Sequence, residues 1–573
     1  MKKLLIHMRS YKKECVLGPL FKLLEAALEL LVPLVMASII DKGIANADRG
    51  YVLRMCLVLV ALGTVGLVFS ITAQYFAAKA AVGFVGRVKH VLFAHIESLS
   101  YAEIDRLGTS TMITRLTSDM NQVQNGVNLA LRLLLRSPFV VFGAMVMAFT
   151  IDVKAAMTFV VAIPALSVVV FGIMLWCIPL YKRVQSRLDQ VLGITRENLT
   201  GVRVIRAFCM EDQERARFEE GNQTLTAVQK FVGRISALMN PVTYVIINLA
   251  IVALIWIGAL QVEAGILTNG LVVALYNYMS QILVELIKLA NLIINITKSV
   301  ACGNRVQAML EIAPSQSWTK AVPALRSDAP AVELRHAGLR YPGGGQEALT
   351  DVTLTVRRGE TVGIIGGTGS GKTSLTNLIA RFYDATRGEV LVEGVDVRDY
   401  PQAALREKIG VVPQRAVLFK GTLRENMRWG KPDASDEEIW AALETAQAKD
   451  VAEGKGGLDC PIEQGGRNLS GGQRQRFTIA RALVRQPDIL ILDDSASALD
   501  FATDAALRKA IRALPSHPTV FIVSQRASSI QYADQIVVLD DGAVVGLGRH
   551  KELLETCQVY QEIYGSQFRQ EDR

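Results

Sequence analysis

Up to about residue 300 the chain is a succession of long apolar runs, and beyond it short apolar runs alternate with mixed segments. A bilayer core takes about 20 mostly apolar residues per helix. Six segments meet that length: 17–40, 52–78, 130–151, 155–179, 240–260 and 270–297. The gaps between them alternate in length. Those around Asp41–Gly50, Asp152–Lys154 and Gln261–Asn269 are short and carry little net positive charge. The gaps at 79–129 and 180–239 are long and basic. Arg87, Lys89, Arg106 and Arg115 lie in the first; Lys182, Arg183, Arg187, Arg196, Arg203 and Arg206 lie in the second. The positive-inside rule puts both long gaps and both termini in the cytoplasm. Val191–Phe218 keeps apolar residues at helical spacing, so the spanning helices are expected to run on below the membrane and turn there.

Composition agrees with this pattern. Half of the residues are apolar, and the mean hydropathy is positive. The net charge is +8, but the basic residues flank apolar runs, which favours a membrane over nucleic acid. Cys15, Cys56, Cys177, Cys209, Cys302, Cys460 and Cys557 are scattered without a CxxC pair. They imply neither a disulfide framework nor a zinc site. Within the spans, Glu25, Glu29, Glu285 and Lys288 are costly unless they face protein or a wet cavity. They either line a polar substrate path or lie near the inner interface and pair, as Glu285 and Lys288 can at i, i+3.

Past Met309 the pattern changes, and Ile312–Pro330 holds three prolines and no long apolar run. The expected organisation is a transmembrane domain over 1–310, a linker over 311–331 and a second domain over 332–573. In that domain, short β-rich runs alternate with helical patterns, which predicts a largely parallel sheet. The fold class is an all-α six-helix transmembrane domain with long cytoplasmic helix extensions, followed by an α/β P-loop nucleotide-binding domain.

The P-loop rests on its context. Thr361–Ile365 reads as a buried strand, followed by Gly366, Gly367, Thr368, Gly369, Ser370, Gly371, Lys372 and Thr373, then a helical run from Ser374 to Phe382. Such glycines let backbone N–H groups close around phosphates at a helix N-terminus. Lys372 is placed for the terminal phosphates and the Thr373 hydroxyl for Mg²⁺. A second buried-strand run, Ile489–Leu492, ends in Asp493 and Asp494. Asp493 suits Mg²⁺, and Asp494 stands where a base would orient the attacking water. Between the two motifs, Asn468–Arg476 carries a Ser-Gly-Gly at the start of a helical pattern.

Together these residues resemble the ATP-binding cassette family, and the layout resembles its exporter half-transporters over nearly the whole chain. Within Leu469–Gln473, the residues Ser470, Gly471, Gly472 and Gln473 match the family's signature motif. Tyr341 matches its adenine-stacking aromatic, Gln414 its Mg²⁺-sensing glutamine, and Ser497–Asp500 the loop that crosses to a partner cassette. Glu197–Phe208 looks like its second cytoplasmic excursion. The resemblance implies ATP and Mg²⁺ as cofactors. Gly366–Ser374, Tyr341 and the signature motif would bind the nucleotide, and Thr373, Gln414 and Asp493 would serve the metal. It implies a dimer as well, with each ATP held between one chain's P-loop and the other's signature motif. The activity implied is ATPase-coupled export of amphipathic small molecules: drugs, lipids or peptides. The setting is a bacterial inner membrane, among its lipids, with the cassette in the cytoplasm.

Two positions depart from the family pattern. Asp494 stands where glutamate is usual, and Gln525, in Ile522–Gln525, where histidine is usual. Both serve this chain's own P-loop, while the signature motif is intact. The pattern resembles the degenerate subunit of a heterodimeric exporter, whose partner is a second half-transporter chain. The competing readings are a homodimeric lipid or drug exporter and an ATP-gated channel or regulatory subunit. Concentrative efflux separates the last from the others, because a gate only dissipates a gradient.

Overall fold

The computed structural model describes residues 1, 3–321 and 328–568, which form two compact units. The first comprises Met1–Glu97 and Ser110–Ile312, and the second Ser98–Thr109 and Ala313–Arg573.

In the first unit, six helical stretches are long and apolar enough to cross a membrane: Leu4–Ile44, Arg49–Ser98, Thr109–Ile151, Val153–Thr200, Glu211–Glu263 and Asn269–Leu310. The shortest has 41 residues and the longest 53. At 1.5 Å per residue they reach about 60–80 Å, against a hydrocarbon core of about 30 Å. They therefore extend well past the bilayer, as the helical spacing of the long gaps predicts. Small residues line the packed faces: Ala73, Ala77, Ala80 and Ala81 are buried along one helix, and Ala144, Ala148, Ala155 and Ala156 in the neighbouring pair. Small side chains let helix backbones approach closely. Leu57, Val168, Trp176 and Trp256 are exposed, which suits lipid.

Two short connections between the helices are tied by acids. The Asp152 carboxylate accepts from the Ala155 N–H at 2.7 Å, starting the helix Val153–Thr200. Asp41 accepts from the Gly270 N–H at 2.8 Å, at the start of the last helix. A Cβ on Gly270 would lie 2.4 Å from the Ala37 carbonyl, so only glycine fits there.

All four charged residues singled out within the spans are paired. Glu285 accepts from Arg136 at 2.6 Å, Lys288 at 2.8 Å and Ser137 at 3.0 Å. A second Arg136 nitrogen donates to Glu29 at 2.6 Å, and Lys22 donates to Glu25 at 2.5 Å. Glu285 and Lys288 do satisfy each other. Arg136 and Lys22, which the sequence pattern leaves unmarked, complete the charge balance.

The second unit holds two main sheets. Strands β1 (Val332–Leu339), β2 (Leu349–Val356) and β4 (Arg387–Val392) pair antiparallel, with β1 in the middle. The larger sheet takes β3 (Thr361–Gly366), β5 (Ile409–Val412), β6 (Ile489–Asp493), β7 (Thr519–Val523), β8 (Gln535–Asp540) and β9 (Ala543–Gly548). Its order is β9-β8-β3-β7-β6-β5, parallel except for β9. The expectation of a largely parallel sheet holds for this one; the antiparallel sheet is an addition. β6 and β7 are buried along their whole length, as a sheet covered on both faces requires. Register places Val523 opposite both Asp493 and Ile364. The segments that follow β3, β6 and β7 therefore emerge side by side, at the carboxyl edge where open α/β sheets bind ligands.

Candidate nucleotide-binding site

Three glycines shape the loop after β3. Gly369 and Gly371 have φ of +85° and +96°, and a Cβ on Gly366 would lie 2.1 Å from the Leu539 carbonyl. A helix, Lys372–Ile379, starts directly from this turn. The Lys372 ammonium donates to the Gly366 and Gly367 carbonyls at 2.9 and 2.6 Å, so it lies folded across the loop. Burial lowers its pKa, and Asp494 and Asp493 oppose that shift.

Asp493 and Asp494 sit at the end of β6. The Thr373 hydroxyl donates to Asp493 at 3.2 Å, which brings a hydroxyl and a carboxylate oxygen together. Asp494 has φ of +46°; its N–H donates to the Val523 carbonyl and its carboxylate accepts from Gln414 at 3.3 Å. Burial raises the pKa of both acids, against the hydrogen bonds from Thr373 and Gln414. Burial is the leading cause of all three shifts, and the attraction between Lys372 and the two acids only partly offsets it. Thr373, Asp493 and Gln414 offer hard oxygen atoms, the donor set that Mg²⁺ prefers, and a glycine turn leading into a helix start is a backbone shape that suits phosphate.

The Tyr341 hydroxyl donates to Ser374 at 3.0 Å, fixing the ring beside the helix start. Its ring meets Tyr383 edge to face. The Tyr383 hydroxyl in turn donates to Asp105, in the helix Tyr101–Leu107, and the Tyr101 ring lies 4.6 Å from Phe382. Burial, ahead of the bond to Asp105, raises the Tyr383 pKa. Tyr383, Asp105 and Tyr101 carry no spacing or motif that the sequence reading used. Only the adjacent aromatic pair Phe382-Tyr383 hinted at them.

Ser470 caps the helix Gly471–Val484. Its N–H donates to the Gln473 side chain at 3.1 Å, and the Gln473 N–H donates to its hydroxyl at 3.3 Å. The polar groups of Ser470 and Gln473 are thus engaged inside the motif rather than with the P-loop. A Cβ on Gly472 would lie 3.0 Å from the Ala498 carbonyl, so the motif abuts the turn Ser497–Asp500. Gln525 follows β7 and is exposed. The structure thus gathers Tyr341, the P-loop, Gln414, Asp493 and Asp494, and leaves Ser470–Gln473 as a separate element.

The profile of the ABC transporter transmembrane region matches residues 15–286, and that of the ABC transporter domain matches 349–497. An uncharacterized ABC transporter ATP-binding protein of Mycobacterium tuberculosis is 37% identical over 568 residues, 98% of this chain and 97% of that protein. The chain belongs to the ABC transporter family. An ATP-dependent lipid A-core flippase of Desulfotalea psychrophila is 30% identical over 560 residues, 97% of each chain. The fold matches a bacterial Atm1-family ABC exporter with ATP bound at a TM-score of 0.80 and 24% identity, over 97% of this chain and 98% of that one. As an ABC transporter, the chain is a multi-pass membrane protein that couples ATP hydrolysis to transport.

Proposed function

We propose that this ABC transporter exports an amphipathic small molecule as one subunit of a heterodimer, and that its own P-loop site splits ATP slowly. The observation that carries this reading is the pairing of Asp494 and Gln525 with an intact signature motif. An aspartate carboxylate stands back from the position of a glutamate by roughly an ångström, and a misplacement of that size costs about 10²-fold in rate. Gln525 hydrogen-bonds a phosphate but carries no proton or positive charge.

In this reading Tyr341 stacks on adenine, Gly366–Ser374 hold the phosphates, and Thr373 and Asp493 hold Mg²⁺ with Gln414 beside them. Asp494 and Gln525 face the terminal phosphate. Ser470–Gln473 close the partner chain's site, where hydrolysis is fast. The cassette lies in the cytoplasm and the spans in a bacterial inner membrane. The cargo is a drug, lipid or peptide, and the likeness to a lipid A-core flippase supports a lipid-like member of that class.

The test is a pull-down of the tagged chain from its native membrane, scored for a second transporter chain in equal amount. A partner bearing glutamate and histidine at the two positions supports the heterodimer. Recovery of this chain alone overturns it, and leaves Asp494 with Gln525 as sufficient for catalysis.

A further inference from the structure

The segment Ser524–Ala527, which follows β7 and contains Gln525, is held by its backbone. The Ser524 N–H donates to the Ile364 carbonyl at 3.1 Å, and the Arg526 N–H donates to the Ser524 hydroxyl at 2.9 Å. The Arg526 guanidinium donates to the Leu499 and Ser497 carbonyls at 3.3 and 3.4 Å and lies over the Phe501 ring. The remaining hold comes from 42 residues further along the chain. The Gln567 side-chain amide donates to the Gln525 carbonyl at 2.7 Å and accepts from the Ala527 N–H at 2.8 Å. One amide therefore bridges both sides of residue 526 and uses its donor and its acceptor at once. Gln567 ends the helix Gln558–Gln567, whose Tyr560 is fully buried in the cassette core with Ile563 and Tyr564 packed against it. The bridge thus stands at the end of a helix anchored in the core through Tyr560, and it ties the backbone from which the exposed Gln525 side chain projects.

We propose that Gln567 is a positioning residue for ATP hydrolysis, acting through Gln525. This rests on the reading of Gln525 as a contact to the terminal phosphate. A side chain that must meet a transferring phosphoryl group within a fraction of an ångström needs its backbone fixed beforehand. The bridge supplies that from the last helix, so the end of this helix and the nucleotide site are mechanically joined.

The experiment is single-turnover hydrolysis in lipid nanodiscs by the full-length transporter, purified with the chains that accompany it from its native membrane. Gln525→Ala identifies the phase that depends on this side chain. Gln567→Ala is expected to slow the same phase by about 3- to 10-fold, the range one net hydrogen bond supports. The KM for ATP and the Tm should stay at wild-type values, which a loss of packing would not allow. The double variant should be no slower than Gln525→Ala alone, because both changes remove one function. Gln567→Glu keeps the acceptor for Ala527 but sets a charge against the Gln525 carbonyl, and should slow the phase as well. Wild-type rates in both Gln567 variants, or slowing that adds to that of Gln525→Ala, overturn the proposal while leaving the reading of Gln525 standing. If Gln525→Ala changes no phase, the reading of Gln525 falls and the proposal with it.

Discussion

The rings of Tyr341 and Tyr383 meet edge to face, with centroids 4.8 Å apart and planes at 88°. The first ring stands at the nucleotide site, and the second is bonded to Asp105 in the segment between the second and third spans. Removing the hydroxyl with Tyr383→Phe keeps the ring contact and breaks the bond. The KM for ATP should be unchanged, while stimulation of ATPase activity by a transported compound should fall. Equal stimulation of both proteins would sever Asp105 from coupling.

Tyr341→Ala tests the base contact itself. Loss of stacking on a nucleobase costs about 1–3 kcal/mol, so ATP affinity should drop roughly fivefold or more. Tyr341→Phe should bind nearly as wild type, since it loses only the hydroxyl contact to Ser374. The readout is equilibrium binding of a fluorescent ATP analogue.

Asp494→Glu should restore reach toward the attacking water. On the proposed reading, turnover at this chain's own P-loop site is expected to rise, and to rise further when Gln525→His is also present. No gain in the double variant would overturn the proposal that these two positions slow hydrolysis.

Burial holds the Asp493 and Asp494 carboxyls above their ordinary value of 3.8. A folded pKa above the unfolded one means that protonation favours folding. The penalty is absent below the unfolded pKa and grows as pH rises through the folded one. Asp494→Asn should therefore raise the Tm of the nucleotide-free protein at neutral pH. That gain should shrink as pH falls toward about 3, below the ordinary value, where the acid is largely neutral in both states. Melts at the two pH values decide it, and an equal gain at both would point away from charge burial.

The cluster in the spans makes a different prediction. Arg136 and Glu285 have side chains only 7% and 4% exposed. Glu285→Leu leaves the buried guanidinium with Glu29 as its acid and should destabilise by less than the about 3–5 kcal/mol of a fully unpaired buried charge, whereas adding Arg136→Met should recover part of that loss. Denaturant unfolding in detergent measures both. If the double variant also transports the same range of compounds, the cluster serves stability rather than recognition.

Much of this protein is written locally along the chain. Spans follow from apolar run length alone, and the P-loop follows from glycines between a buried strand and a helix. The helix start at Ser470 follows from a capping pair three residues apart. Each of these depends on neighbours within a few turns, so periodicity and spacing reveal it. The antiparallel sheet, the pairing of Arg136 with Glu285 and the bridge to Gln525 were not legible in that way. Arg136 lies 149 residues from Glu285, Asp105 lies 278 from Tyr383, and Gln567 lies 42 from Gln525. Such pairs arise when separately formed elements pack, and a polar side chain marks no period that announces its distant partner. The sequence alone determined the class of machine and the motifs of its cassette. Tertiary packing decided which side chains hold them in place.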